Sequence, residues 1–280
     1  MHQEIERLAA LALSEDVGQE DLTTEATVPD DLRCDVRLVA KQDGVLSGID
    51  LFQATLRLAG ADIEDWNARF DGERFLNGEV IATFNGRARG VLTGERTALN
   101  FLQHMCGIAT LTAAFVEQLD GLACRIADTR KTMPLLRRIE KQAVVDGGGV
   151  NHRYNLATGI LIKENHIAAA GGIQEALLRA RQSASHLMRV EIEVTSLDEL
   201  QQALEGGAEV VLLDNMDLDT MSAAVAFTRA NYPGVLIEAS GNASLDRVRG
   251  MAETGVDLIS VGALTHSATA IDLSLLIEHA

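Results

Sequence analysis

From Cys124 to Val261 short apolar runs alternate with longer stretches whose apolar residues recur at helical spacing. The runs are CRIA (124–127), GILI (159–162), RVEIEV (189–194), EVVLL (209–213), VLIEA (235–239) and LISV (258–261). Helices are predicted over 133–145, 172–183, 197–205, 218–230 and 245–253, with Ser196 and Ser244 as N-cap residues and Gly before most following strands. Such alternation specifies a parallel sheet with helical crossovers. Six convincing strand–helix units favour an incomplete parallel α/β barrel over a full eight-stranded one; an open doubly wound sheet is the alternative.

The first hundred residues follow another rhythm. Ile5, Leu8 and Leu11 give a helix over 2–13, ended by Glu15-Asp16-Val17-Gly18. Short alternating segments at 34–40, 44–48 and 86–92 read as strands, with a helix at 51–59 between them and turns at Gln42-Asp43-Gly44 and Phe70-Asp71-Gly72. The pattern turns helical again from Thr93 to Gln118. The expected organisation is an N-terminal α+β domain with an antiparallel sheet (1–104, with 267–280 packing on it) and a barrel domain (105–266).

Where the apolar runs give out, the chain becomes polar: Asp128-Thr129-Arg130-Lys131, Lys163-Glu164-Asn165-His166, Glu193, Asp214-Asn215 and Ser240-Gly241-Asn242. The last run ends in Gly262-Ala263 instead. The carboxyl ends of parallel barrel strands open onto one face, so these groups should meet at a single mouth.

Charge sharpens that picture. The chain carries −17 overall, which disfavours nucleic acid or an anionic membrane as a partner. Yet residues 128–166 hold seven cations and four acids, a net +3, leaving −20 for the remainder. A basic island in an acidic protein suits a small polyanion, although Arg137, Arg138 and Lys141 read as solvated helix-face charges. Three cysteines (34, 106, 124) without close pairing give neither a disulfide framework nor a zinc site and suit the reducing cytoplasm. No uninterrupted apolar stretch approaches the ~20 residues that span a bilayer. His104, His166 and His266 lack metal-ligand spacing.

Individual clusters suggest chemistry without deciding it. Arg130 offers a planar fork for carboxylate or phosphate, Lys131 a mobile point charge, and Pro134 is expected to start the next helix. Gly147-Gly148-Gly149 permits close backbone approach, and His152 and Arg153 add a titratable group and a second fork. Lys163 could form a Schiff base or pair with an anion. Glu193 and Asp214, at the ends of successive strands, suit a ribose, a developing sugar cation or Mg²⁺; Glu191 should point to the same side as Glu193. Glycine turns at 240–242 and 261–263 suit phosphate.

The strings Glu15–Thr24, Gly94–Gln103, Asp128–Thr132, Gly147–Arg153, Leu161–His166, Leu212–Met216 and Glu238–Asn242 resemble the quinolinate phosphoribosyltransferase family over essentially the full length. The resemblance implies conversion of quinolinate and phosphoribosyl pyrophosphate to nicotinate mononucleotide, pyrophosphate and CO₂ with Mg²⁺. It implies that Arg130, Arg153 and Lys163 hold the quinolinate carboxylates near His152 and Thr129, and that Arg96 enters from the partner of a homodimer. Lys131, Glu193 and Asp214, the catalytic set, would surround phosphoribosyl pyrophosphate and its metal, favouring Glu193 over Glu191. Ser240, Gly241, Asn242, Val261, Gly262 and Ala263 would cradle phosphate, assisted by His266. The chain departs from the family at Met133, where Thr is common, at Leu135, where Gly is common, and at Val145-Asp146, which puts local helix packing in doubt.

Overall fold

Period-two alternation becomes antiparallel strands in the computed structural model, which describes residues 2–278 apart from the side chain of His2. Met1, His279 and Ala280, at the ends of the expected N-terminal domain and its C-terminal appendage, lie outside the described residues. The backbone divides into two units, one of Met1–Leu111, Arg138–Gly148 and Ser267–Ala280, the other of Thr112–Arg137 and Gly149–His266.

The first unit begins with α1 (His2–Val17) and α2 (Leu22–Thr27), the latter capped by Asp21, whose carboxylate accepts the Thr24 N–H at 3.0 Å. There follow β1 (Arg33–Ala40), β2 (Gly44–Val45), α3 (Ile49–Leu58), β3 (Glu64–Ala68), β4 (Arg74–Phe75), β5 (Val80–Arg87) and α4 (Ala88–Glu117). Strands β1, β5 and β3 form an antiparallel sheet. Its inner residues Val36, Leu38, Ile81 and Phe84 pack with Phe52 and Leu56 of α3 and Leu99 and Leu102 of α4.

The strand expected at 86–92 is instead the end of β5 and the first turn of α4. A Cβ on Gly90 would come within 2.2 Å of the backbone at Gly60 and Ala61, so this glycine serves close backbone approach rather than a strand. By length and composition α4 could cross a membrane, which the sequence pattern does not anticipate. However, 56% of its most apolar window is buried inside the protein, as in a core helix.

The second unit contains β6 (Arg125–Ala127) and then, beyond the first residue of α5 (Arg137–Asp146), β7 (Ile160–Ile162), α6 (Glu164–Ala170), α7 (Ile173–Ser183), β8 (Val190–Val194), α8 (Leu197–Glu205), β9 (Val210–Asp214), α9 (Leu218–Asn231), β10 (Leu236–Ser240), α10 (Leu245–Glu253), β11 (Leu258–Ser260) and α11 (Ala263–His266). The last strand, β12 (Leu273–Glu278), belongs to the first unit and pairs antiparallel with β1. Three of the five predicted helix ends fall on the residue expected, and Ser196 caps α8 by accepting the Glu199 N–H. Ser244 occupies the cap position of α10 without a side-chain hydrogen bond.

Pro134 does not start α5. Leu135 adopts φ +69°, a left-handed conformation that interrupts any helix there, and the helix waits until Arg137. Leu135 stands where the family commonly has Gly, the residue that takes this conformation without strain. The departure noted in the sequence thus falls on a strained position.

All six strands of the second unit are parallel, in the order β6-β11-β10-β9-β8-β7. No ladder closes β6 to β7 among the described residues, while Val150 bridges to Ala127 on the free edge of β6. Five strand spacings separate the Val150 segment from β8, about 24 Å if the sheet were flat. Yet His152 Nε2 lies 3.1 Å from Glu191 on β8. The sheet must therefore curl until its ends face each other, as in an incomplete barrel.

Candidate active site

Strand alternation decides which side chains enter the curl. On β8 the apolar Val190, Ile192 and Val194 are fully buried and face one way, so Glu191 and Glu193 face the other. Register aligns Glu193 with Leu212, Leu212 with Glu238, and Asp214 with Ser240, which in turn aligns with Ser260. These residues share one face of four neighbouring strands. Except for Glu191, all of them line a cavity of about 730 Å³.

The same cavity is lined by Thr129, Arg130, Lys131, His152, Arg153 and Lys163 from the early strand ends. It is also lined by Gly241, Asn242, Val261, Gly262, Ala263 and His266 from the late ones. Of the polar groups expected at the mouth, Asp128, Glu164, Asn165 and His166 do not line it, and of the site residues that the family resemblance implies, all do but one. Arg96 lies on α4 in the first unit, exposed, and is not among the lining residues.

The cationic side is held by the backbone. Thr129 Oγ1 accepts the Lys131 N–H at 3.0 Å, and the Thr265 hydroxyl donates to the Lys131 carbonyl at 2.8 Å. A Cβ on Gly262 would come within 2.9 Å of Lys131 Cδ and 3.2 Å of His266 Nε2, so glycine leaves room for both. Arg153 is half-buried, its Nη1 bound to the Gly159 carbonyl at 3.0 Å. Burial, and then the nearby Arg130, both press its pKa down, against support from Glu191. Arg130 Nε is buried without a hydrogen-bond partner. Two guanidinium groups kept close, one with an unused donor, form a ready site for an anion with two acceptors.

Two histidines organise their cationic neighbours in the same way. Nδ1 of His152 accepts the Arg153 N–H at 2.7 Å, and Nδ1 of His166 accepts the Lys163 N–H at 2.9 Å. Lys163 Nζ then reaches Glu193 at 2.5 Å. An ammonium held by a carboxylate has no free lone pair, so this geometry opposes the Schiff-base alternative. The backbone of His152 is fixed in turn by Asp128, fully buried, whose Oδ1 accepts its N–H at 2.8 Å.

Opposite lies an oxygen-rich wall. Asn215 donates to Asp214 at 2.9 Å and accepts from Asn242 at 3.1 Å, tying the ends of β9 and β10 together. Gly241 has φ +88°, and a Cβ there would sit 2.1 Å from Asn215 Oδ1. Only glycine permits this turn. Beneath these groups Glu191 and Glu238 are buried beside His152, at 3.1 and 3.7 Å from its Nε2.

Sequence reasoning put Asp128 and Asn215 among the strand-end groups without an individual role, and gave none to Glu238 or Ser260. The available signal was parity: Glu238 precedes Ser240 by two residues and must share its face.

The comparisons agree with the geometry. Residues 21–106 match the family described as Quinolinate phosphoribosyl transferase, N-terminal domain, and residues 108–276 its C-terminal domain. The chain belongs to the quinolinate phosphoribosyl transferase family. It is 39% identical over 98% of its length to a probable nicotinate-nucleotide pyrophosphorylase [carboxylating] of Bacillus subtilis, covering 93% of that protein. Identity to the nicotinate-nucleotide pyrophosphorylase [carboxylating] of Mycobacterium leprae is 43%, over 91% of this chain and 90% of that one. The solved structure of NadC from Streptococcus pyogenes superposes with a TM-score of 0.93 at 39% identity, covering 99% of this chain and 98% of that one.

Proposed function

We propose that this protein is a phosphoribosyltransferase of NAD biosynthesis that converts quinolinate and phosphoribosyl pyrophosphate to nicotinate mononucleotide, pyrophosphate and CO₂. The observation that carries the reading is the divided cavity, with paired guanidinium groups and Lys163 on one side and carboxylates with glycine turns on the other. A dicarboxylate and a polyphosphate repel each other, so several fixed cations are needed to bring them together. Arg130, Arg153 and Lys163 hold the quinolinate carboxylates, with Thr129 and His152 alongside. His152 acts there chiefly by fixing Arg153, since both its ring nitrogens already have protein partners.

Lys131, Glu193 and Asp214 surround the phosphoribosyl group, and Ser240, Gly241, Asn242, Val261, Gly262, Ala263 and His266 receive its phosphate. Loss of pyrophosphate leaves the ribose cation-like, and Glu193 and Asp214 stabilise that charge. Aligning the ring nitrogen with the anomeric carbon supplies up to ~7–11 kcal/mol of the barrier reduction. The hard oxygen donors of Glu193, Asp214, Asn215 and Asn242 fit Mg²⁺, which would neutralise pyrophosphate as it departs. Arg96, exposed on α4, completes the quinolinate pocket of a second copy in a homodimer. Three free, buried cysteines suit the reducing cytoplasm.

The deciding assay is release of pyrophosphate and formation of nicotinate mononucleotide from quinolinate, phosphoribosyl pyrophosphate and Mg²⁺; neither product appearing would end this reading. Mixing Arg96→Ala with Lys131→Ala protein should restore activity through hybrid dimers. No recovery after verified subunit exchange would remove the shared site.

A further inference from the structure

At the base of the cavity Glu191 and Glu238 lie buried around one imidazole, each with a carboxylate oxygen within 4.8 Å of the other's and of the His152 nitrogen. His152 does not neutralise both. Its Nδ1 accepts the Arg153 N–H, so that nitrogen bears no proton, and its single N–H, on Nε2, faces Glu191 at 3.1 Å. Two buried carboxylates this close cannot both stay ionised beside a neutral ring, so one retains a proton. Glu191 accepts from His152. Glu238 keeps Oε1 buried and without a hydrogen-bond partner while its side chain forms part of the cavity wall. Burial, and then the Glu191 charge, push the Glu238 carboxyl up to about 7, against the Ser260 hydroxyl and Lys163.

We propose that Glu238 is the proton donor of the second chemical step, supplying hydrogen to the ring carbon that loses CO₂. The proposal depends on the quinolinate reading above. Once the ring nitrogen carries ribose, the bond from the adjacent ring carbon to its carboxylate breaks heterolytically. CO₂ leaves, and the electron pair stays on that carbon beside the positively charged nitrogen. The Glu238 O–H bond then breaks as the new C–H bond forms, leaving a carboxylate that solvent reprotonates before the next turnover. No further reactant is required. Without a donor, the carbon recaptures CO₂ and the dicarboxylate nucleotide accumulates.

Rapid-quench turnover of the full chain with quinolinate, phosphoribosyl pyrophosphate and Mg²⁺ separates the two steps. Glu238→Gln should slow formation of nicotinate mononucleotide by roughly 10²–10³-fold. Pyrophosphate release should fall by less than about tenfold, because the donor acts only after transfer. Equal losses in both steps, or no loss in product formation, would overturn the proposal. Should Glu238→Gln not fold, the unsubstituted enzyme gives a second readout. Its decarboxylation rate should be full below pH about 7 and fall above it, as Glu238, facing His152, Glu191 and Lys163, gives up its proton. A flat profile through that range would overturn it equally. Lack of quinolinate-dependent pyrophosphate release by the unsubstituted enzyme would instead defeat the functional reading itself.

Discussion

At the mouth of the barrel Arg130, Lys131, Arg153 and Lys163 line the cavity as partly solvated cations, whereas Glu191 and Glu238 lie buried around His152 at its base. The cations are positioned mostly through backbone: Thr129 and Thr265 for Lys131, and a histidine Nδ1 each for Arg153 and Lys163. Of their charged ends, Arg153 Nη1 meets the Gly159 carbonyl and Lys163 Nζ meets Glu193. The carboxylates at the base are spent on one another and on His152, with little access to water. A charge meant to bind an anion is kept at least partly wet; a group meant to hold a proton is kept dry beside a like charge.

The largest expected effect breaks the mouth. Arg130→Ala or Arg153→Ala should weaken quinolinate binding by roughly 10²–10³-fold, since truncating one member of a charged, hydrogen-bonded contact costs about 2–5 kcal/mol. Titration calorimetry with quinolinate checks this, and unchanged affinity in both variants would remove the assigned role of the mouth.

The base is tested through stability. The folded protein holds a proton on Glu238 at pH values between the ordinary carboxyl value of 4.5 and about 7, where the unfolded chain has released it. That contribution is complete below the window and is lost as pH rises through it. Urea midpoints at pH 5 and pH 8 should therefore differ less in Glu238→Gln than in the parent, by about 1–3 kcal/mol in unfolding free energy. Identical differences would show that the base carries no extra proton.

A smaller contrast concerns the turns. Gly60, at φ +89° with nothing near a would-be Cβ, should cost only about 1 kcal/mol as Ala. Gly241→Ala should cost more, because its Cβ would displace Asn215, and should also weaken phosphoribosyl pyrophosphate binding about tenfold. Equal thermal shifts with unchanged affinity would separate this turn from the site. The smallest change is a gain: Leu135→Gly should relieve the φ +69° strain and stabilise by about 1 kcal/mol, read as a raised Tm. A lowered Tm would mean that Leu135, 89% exposed, packs against something of consequence.

Much of this was legible along the chain. The six apolar runs became the six parallel strands, and most of the polar residues ending them gathered on one cavity because strand direction is common to all. Local signals failed where long-range contacts overrode them. Gly86–Leu92 reads as a strand from its short alternation, but it is the end of β5 and the first turn of α4, where Gly90 admits the backbone at Gly60 and Ala61. The start of α5 was misplaced because Pro134 is a good first residue of a helix, whereas Leu135 takes a left-handed φ. Three predicted helix starts (197, 218, 245) and three ends (183, 205, 253) fall on the residue expected.

The sequence by itself determined fold class, family and the inventory of charged groups, since periodicity, turn chemistry and motif strings are local properties of the chain. Only the tertiary structure decided how those groups divide their charge. Parity puts Glu191, Glu193 and Glu238 on one face; the register of β7 on β8 sets Lys163 beside Glu193, while the curl of the sheet brings His152 onto Glu191 and Glu238. Protonation depends on burial and on neighbours brought together from distant strands, and neither is written in the order of the residues.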